Sequence, residues 1–317
     1  MSHHVHEDPL WPRASAWLQE ADANSNYDLG LFGIPANLTS ISKTNALLTP
    51  NAIREALQRY STFNWSINKD VAELSFADFG DVSDPDSPEG EERTAHLAHT
   101  VSNRSKLAIG LGGDNSITYA MAKGVFTNSA NTGIVETAGL ITFDAHHDLR
   151  DGVSNGSPVR RLIDEAGLDG KRIVQIGIAD FSNSAAYAKR AKDFGIHVIP
   201  RTALRSRKAA DVVAEALAIA GSAGGPIHVD FDVDVCDRSV VPACPAAAPG
   251  GLSADEFRAF CFEIGRAAGR PHSASSPKGS TALADTTDGR TVRLAALGIL
   301  ELAAGLLSPQ GTVTTAN

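Results

Sequence analysis

The stretch Leu140-Ile-Thr-Phe-Asp-Ala-His-His-Asp148 begins as an apolar strand and ends in side chains of the types that bind metals. Asp144, His146 and Asp148 are spaced two residues apart, and alternate residues of an extended segment point to the same side. The three side chains are therefore predicted to leave the end of the strand in one direction. An apolar run without polar alternation is also typical of a strand covered on both faces, as in a parallel sheet.

A second stretch, Ile227-His-Val-Asp-Phe-Asp-Val-Asp234, places Asp230, Asp232 and Asp234 on one face in the same way. So many carboxylates aimed at one cavity would repel each other strongly unless cations lay among them. Carboxylate oxygens suit Mn or Mg, and an imidazole among them favours a transition metal. A lone Asp-x-Asp is more often a loop with capping roles, but the two stretches together predict a carboxylate-rich site for two metal ions.

Short apolar runs alternate with longer amphipathic stretches through the rest of the chain, which predicts βαβ units and a mainly parallel sheet with helices on both faces. Both acidic stretches then lie at the carboxyl ends of strands, where open α/β sheets bind ligands. The predicted strands cover residues 31–34, 74–79, 107–111, 140–143, 173–178, 197–199, 227–233 and 294–300. The predicted helices cover residues 51–60, 91–104, 182–194, 208–220 and 253–268.

The length of 317 residues fits one large α/β domain, predicted over residues 29–317 and preceded by an N-terminal tail and lead-in over 1–28. Residues 270–290 are rich in Ser, Thr, Gly and Pro and poor in apolar side chains. This composition predicts a mobile loop before the final strand.

The net charge of −9 argues against nucleic acid or an anionic membrane as the main partner. A small-molecule substrate is expected instead. No apolar stretch is long enough to span a bilayer, and the first residues lack the basic start and apolar core of a secretory signal. The three cysteines are an odd and sparse count, which indicates a reducing compartment. A cytoplasmic protein is therefore expected.

A glycine-rich stretch, Gly110-Leu-Gly-Gly-Asp-Asn-Ser-Ile-Thr118, follows a strand and opens a helix. Paired glycines allow a tight turn and a close approach to a ligand. The stretch has neither the Gly-x-x-x-x-Gly-Lys-Ser/Thr nor the Gly-x-Gly-x-x-Gly pattern, so no nucleotide site is predicted.

Three blocks in this order resemble the signature blocks of the ureohydrolase superfamily, which contains arginase, agmatinase and formimidoylglutamase. They are Gly112-Gly-Asp-Asn-Ser-Ile117, Asp144-Ala-His-His-Asp148 and Phe231-Asp-Val-Asp-Val-Cys-Asp237. The resemblance implies a single-domain, three-layer α/β/α fold around an eight-stranded, mainly parallel sheet, with a dinuclear Mn²⁺ site and a trimeric or hexameric homo-oligomer. The implied metal ligands are Asn115, Asp144, His146, Asp148, Asp232 and Asp234.

Asn115 stands where the usual family block has a histidine ligand. An amide oxygen binds transition metals more weakly than an imidazole does, so one ion is predicted to be held loosely, through Asn115 or water. A one-metal enzyme and a metal-binding relative without activity remain alternatives. His147 does not replace the missing histidine, because strand alternation points it away from the ligands and predicts a packed or supporting role.

The stretch Leu149-Arg-Asp-Gly-Val-Ser-Asn-Gly-Ser-Pro158 resembles the formimidoylglutamase pattern after the first acidic block. An arginine can hold a carboxylate through two hydrogen bonds, which suits N-formimino-L-glutamate and disfavours agmatine with its cationic tail. For Arg150, a salt bridge to Asp151 or another loop acid is the alternative. The implied substrate-binding residues are Arg150, Asn155, Ser157 and Arg160.

The stretch Leu297-Gly-Ile-Leu-Glu-Leu-Ala303 is predicted to end the last strand, and the resemblance implies that Glu301 aligns the formimino nitrogens. Asp148 would orient the attacking water and pass a proton to the leaving amine. The implied reaction converts N-formimino-L-glutamate to L-glutamate and formamide, as in histidine degradation. The alternative in the same class is a hydrolase of guanidino compounds, of the guanidinobutyrase, agmatinase or arginase type, which releases urea.

Overall fold

The structure is a computed structural model that describes residues 8–127, 134–268, 277–282 (as backbone) and 289–308. Its strands are β1 (Gln19–Glu20), β2 (Tyr27–Ile34), β3 (Phe63–Asn64), β4 (Lys69–Asp70), β5 (Phe76–Asp81), β6 (Ser105–Gly112), β7 (Gly139–Phe143), β8 (Ile173–Ile178), β9 (His197–Pro200), β10 (Ile227–Phe231) and β11 (Pro277–Ala282). Nine of them form one sheet in the order β1-β5-β2-β6-β11-β10-β7-β8-β9, and every neighbouring pair in it is parallel. Strands β3 and β4 form a separate antiparallel pair.

Helices cover both faces of the sheet. They are α1 (Thr49–Ala56), α2 (Pro88–Arg104), α3 (Ile117–Phe126), α4 (Pro158–Asp164), α5 (Ala185–Phe194), α6 (Arg201–Leu204), α7 (Ala209–Ala220), α8 (Ala254–Ala268) and α9 (Arg290–Leu306). Local sequence sets several of their ends. For example, the Ser184 hydroxyl caps the start of α5, and Gly195 ends it with a left-handed φ of 78°.

Two hydrophobic cores lie on opposite sides of the sheet, because neighbouring residues of a strand point to opposite faces. Leu29 and Leu31 of β2 pack into the first core, which contains α1, α7, α8 and α9. Phe32 and Ile34 of the same strand pack into the second core, which contains α2 to α5. The three-layer α/β/α fold is therefore confirmed. Trp17 packs into the first core, so the lead-in shares the core of the domain.

The prediction of a final strand at 294–300 is wrong, because these residues lie inside α9. The run is rich in Ala and Leu, which favour helices, and a short apolar run does not distinguish a buried strand from a buried helix by its periodicity. Helix α9 is buried nearly all round, and it packs so closely on α8 that a Cβ at Gly265 would lie 2.0 Å from the Leu302 carbonyl oxygen.

The prediction of a mobile loop over 270–290 is wrong at Pro277–Ala282, which form β11 between β6 and β10. This strand contains glycine and proline but no valine or isoleucine, so pairing with two neighbours overrides its weak strand propensity. Residues 269–276 and 283–288 lie outside the described part of the chain. The sheet has nine strands instead of the expected eight because the two-residue β1 adds to one edge.

The sheet brings the two acidic stretches together at its carboxyl edge. Strands β7 and β10 are neighbours, with Phe143 opposite Phe231, and the Asp232 N–H donates to the Phe143 carbonyl at 2.9 Å. The residues that follow these two strands therefore start side by side. Among the helices described, none is both long enough and apolar enough to cross a membrane.

Candidate metal centre

The centre of the site consists of Asp144, His146 and Asp234, each of which offers one ligand atom within 4.8 Å of the other two. The His146 Nδ1 atom lies 2.9 Å from Asp234 Oδ2 and 3.4 Å from Asp144 Oδ1. Backbone hydrogen bonds fix both carboxylates, because Asp144 accepts from the His146 N–H at 2.6 Å and Asp234 accepts from the Ala145 N–H at 3.1 Å. The two predicted stretches thus converge on one point.

Three further predicted ligands, Asn115, Asp148 and Asp232, line the cavity above this centre. The Asn115 amide nitrogen donates to Asp148 Oδ2, while its amide oxygen accepts from the Thr118 hydroxyl at 2.8 Å. In this arrangement Asn115 supports the carboxylate of Asp148, and its role as a metal ligand remains a prediction. The Asp232 carboxylate accepts from the Asp234 N–H at 2.9 Å.

Gly113, in the glycine-rich turn before Asn115, lies against the backbone of another chain segment. A Cβ at this position would lie 1.9 Å from the Ala36 carbonyl oxygen. The close approach predicted for this turn therefore exists, but its partner is the loop that follows β2.

The carboxylates carry more negative charge than their surroundings can neutralise. Burial and the charge of Asp234 raise the pKa of Asp144 to about 6. Burial, followed by neighbouring carboxylates, raises the pKa values of Asp148 and Asp232 well above the usual range. Burial also acts to raise the pKa of Asp234, but the contact with His146 outweighs it and lowers that pKa. Burial opposes a charge on His146, yet Asp144 and Asp234 raise its pKa to about 12.

The surroundings of Asp230 indicate whether this arrangement fits a metal centre. It is fully buried, and among the described residues neither of its oxygens makes a well-formed hydrogen bond. Burial and the charge of Asp144 raise its pKa well above the usual range, and the Thr118 hydroxyl offsets this only in part. A buried carboxylate without a partner is costly, and nearby cations would compensate for it. Together with the oxygen-rich donor set and the single imidazole, this fits divalent Mn.

As the pH rises from about 4 to about 6, the metal-free native protein is expected to lose stability relative to an Asp144→Asn variant. The pKa of Asp144 is about 6 in the folded protein and 3.8 in the unfolded reference. The folded protein therefore binds more protons in this window, and a rise in pH favours the unfolded state by about 3 kcal/mol. Urea unfolding of metal-stripped protein at several pH values measures the difference. A difference that stays constant or grows in favour of the native chain contradicts the expectation.

The cavity above the centre has a volume of about 380 Å³. Arg150 also lines this cavity. Within the described residues, its guanidinium has no hydrogen-bond or ion-pair partner. The alternative of a salt bridge to Asp151 or another loop acid is therefore wrong, and Asp151 pairs with Arg190 at 2.8 Å instead. Hydroxyl and amide side chains also line the cavity, beside apolar residues such as Ile41, Leu149 and Val233; the polar ones are Ser40, Ser42, Thr44, Asn155, Ser182, Asn183, Ser184 and Tyr187.

Of the other predicted substrate-binding residues, only Asn155 lines the cavity. Its amide oxygen accepts from the Ile41 N–H at 3.0 Å, so it also holds the loop across the opening. The prediction is wrong for Ser157, which is fully buried and exchanges hydrogen bonds with Ser154 at 2.9 and 2.8 Å. It is also wrong for Arg160, whose guanidinium donates to two carbonyls of its own loop at 2.8 Å each. Both side chains stabilise the loop.

The prediction that Glu301 belongs to this site is wrong. Glu301 lies on α9, where its carboxylate accepts from Arg258 Nε at 2.9 Å and Arg258 Nη2 at 2.5 Å. It lines a second cavity of about 490 Å³, together with Tyr60 and Trp65, and this cavity shares no lining residue with the first among those described. The error follows from assigning a strand to 294–300. The residues that follow β11 begin at 283, outside the described part of the chain.

Two functional candidates were not found from the sequence. Gln175 on β8 and Asn183 before α5 both hydrogen-bond to the backbone of the loop that carries Asp144, His146 and Asp148. They are separated from it by 28 and 36 residues, and no local pattern signals either of them. The prediction that His147 points away from the ligands is confirmed, because its Nδ1 atom lies 2.7 Å from Gln175 Oε1.

A parallel sheet between two layers of helices, with acids and a histidine clustered at its carboxyl edge, is typical of α/β enzymes that bind metal ions. The chain belongs to the Arginase family, whose profile matches residues 27–303. Members of this family are ureohydrolases, which hydrolyse C–N bonds.

Similar proteins include a formimidoylglutamase from Halalkalibacterium halodurans, 35% identical over 256 residues that cover 75% of each chain. The crystal structure of formimidoylglutamase from Bacillus subtilis has a TM-score of 0.86 and 28% identity, over 98% of this chain and 96% of that one. A Trypanosoma cruzi formiminoglutamase with two Mn²⁺ ions has a TM-score of 0.81 and 25% identity, over 94% and 99% of the two chains.

Proposed function

We propose that this protein hydrolyses N-formimino-L-glutamate to L-glutamate and formamide, and that it uses two Mn²⁺ ions. The observation that carries the proposal is the presence of Arg150 in the wall of the same cavity as the acidic centre. A substrate with a cationic amidine at one end and carboxylates at the other matches this distribution of charge. The similar proteins named formimidoylglutamase support the same substrate.

The residues that would hold the metal are Asp144, His146, Asp148, Asp232 and Asp234. Two divalent ions bound there would lower the pKa of a water molecule and stabilise negative charge that develops at the amidine carbon. The cationic His146 must lose its proton to become a ligand, so metal binding releases a proton at neutral pH.

Asp148 has the position and the surroundings of a proton carrier. Its carboxylate lines the cavity, where it could accept the proton released by the attacking water. The hydrogen bond from Asn115 holds one of its oxygens, Oδ2. Asp148 would pass its proton to the nitrogen that leaves with glutamate, while Arg150 holds a substrate carboxylate at the other end of the cavity.

A guanidino acid such as guanidinobutyrate is the second candidate, because Arg150 also suits a substrate with a single carboxylate. A guanidinopropionase from Pseudomonas aeruginosa is 32% identical over 153 residues, which cover 46% of this chain. Agmatine is disfavoured, since its cationic tail would face the Arg150 guanidinium.

The proposal predicts that Mn-loaded protein releases formamide from N-formimino-L-glutamate, and that it does so much faster than it releases urea from guanidinobutyrate or agmatine. Product analysis with each substrate, at matched concentrations and a measured metal content, tests it. Urea as the main product would replace the proposal with the second candidate. Protein that carries two metal ions and releases neither product would contradict both. The trimeric or hexameric assembly also remains a prediction, which sedimentation can test.

A further inference from the structure

The loop from Asp144 to Asp148, which carries three of the predicted metal ligands, contains a strained backbone position. Asp148 has a φ of 54°, in the left-handed region that side chains other than glycine rarely adopt. Such a conformation persists only when the surrounding structure enforces it. The residues that enforce it are therefore part of how the site is built.

Gln175 holds the residue immediately before Asp148. It is fully buried on β8, and its amide nitrogen donates to the His147 carbonyl at 2.9 Å, while its Oε1 lies 2.7 Å from His147 Nδ1. A carbonyl can only accept, so the amide nitrogen must face it and Oε1 must face the ring. This arrangement requires His147 to carry a proton on Nδ1, and it fixes the ring and the backbone together.

Asn183 holds the same loop from the other side. Its amide oxygen accepts from the His147 N–H at 3.0 Å, and its amide nitrogen donates to the Ala145 carbonyl at 2.9 Å. The N–H and the carbonyl of His147 are thus both bound by buried or half-buried amide side chains from distant parts of the chain. With both sides of His147 fixed, the chain turns at Asp148.

We propose that Gln175 and Asn183 form an amide clamp, which holds the loop in the conformation that metal binding requires and keeps Asp148 in its left-handed turn. Gln175 does not line the cavity, so it acts through the loop as a positioning residue. This inference rests on the proposed use of Mn²⁺ by the site. Partners of metal ligands typically change metal affinity 10- to 100-fold when they are removed.

The test is Gln175→Met, which keeps the length of the side chain and removes both hydrogen bonds. Mn²⁺ affinity, followed through the electron paramagnetic resonance signal of free Mn²⁺, is expected to fall at least about tenfold. At saturating Mn²⁺, kcat for formamide release is expected to fall while KM changes little, because Gln175 is not in contact with the cavity. A role in overall stability alone would leave the metal affinity of the folded variant unchanged.

The matched control is Thr94→Val. It also removes a buried side-chain hydrogen bond to a carbonyl, the 2.8 Å bond from Thr94 to Gly90 within α2, far from the loop in the chain. Should Gln175→Met fail to fold, Asn183→Asp takes its place, since this isosteric change keeps the bond from the His147 N–H and loses the bond to Ala145.

Native-like Mn²⁺ affinity in Gln175→Met, or in Asn183→Asp where that variant is used, overturns the clamp but leaves the proposed function intact. An equal loss of affinity in Thr94→Val also overturns it. Native protein that binds no Mn²⁺ overturns the proposed function and the clamp together. Loss of affinity in the clamp variant alone supports the inference.

Discussion

Replacement of Asp234 by asparagine is expected to lower formamide release by at least about a thousandfold. An asparagine oxygen can still accept from the Ala145 N–H, so the loop is retained. The variant lacks the negative charge that lies 2.9 Å from His146 at the centre of the cluster. If each metal ion stabilises the transition state by about 4 kcal/mol, losing one of them accounts for a change of this size. Formamide release and bound Mn²⁺ are the two measurements.

The control for this variant is Glu301→Gln, which also neutralises a largely buried acid. Glu301 pairs with Arg258 in the second cavity, so the change should leave formamide release and metal content close to native values. A loss of activity in Glu301→Gln as complete as that in Asp234→Asn would instead show that Glu301 takes part in the reaction. Full activity in Asp234→Asn would contradict the assignment of the centre.

Replacement of Arg150 by methionine is expected to lower kcat/KM for N-formimino-L-glutamate about a hundredfold, mainly through KM. Loss of one partner from a charged, hydrogen-bonded pair costs roughly 3 kcal/mol, which corresponds to this factor. Methionine keeps the length of the side chain but does not bind a carboxylate. Steady-state kinetics on Mn-loaded protein measure the change.

A substrate that lacks carboxylates, such as an N-alkylformamidine, provides the control reaction. Its kcat/KM should be the same in the native protein and in Arg150→Met, because the guanidinium has nothing to hold. Lys192→Met removes an exposed charge of the same sign from α5, outside the cavity, and should not affect either substrate. Equal losses on both substrates would show that Arg150 supports the loop and does not select the substrate.

The acidic centre could be predicted from the sequence because its main determinants are local. Strand alternation and an apolar run place Asp144, His146 and Asp148 together, and the parallel pairing of β7 with β10 adds Asp232 and Asp234. Such patterns state which side of a strand a residue faces. Only the meeting of the two stretches is non-local, and it was predicted because parallel strands end at the same edge of a sheet.

The remainder of the site depends on contacts that no local pattern encodes. Ser157 and Arg160 have suitable chemistry for substrate binding, but the loop carbonyls and Ser154 take their hydrogen bonds. Gln175 and Asn183 act on a loop about thirty residues earlier in the chain. Strand β11 was not predicted because its composition resembles a loop, and its conformation comes from pairing on both edges.

The central position of β11 also constrains how the site is assembled during synthesis. Strand β6, which leads to Asn115, and strand β10, which leads to Asp232, are linked in the sheet through β11, although β11 is the last of the three to leave the ribosome. Until it is inserted, both neighbours expose open edges, which are prone to pair with other chains. Support of the Asp148 carboxylate by Asn115 is thus a property of the nearly complete polypeptide, whereas β7 and β10, which lead to the two acidic stretches, can pair before β11 is made.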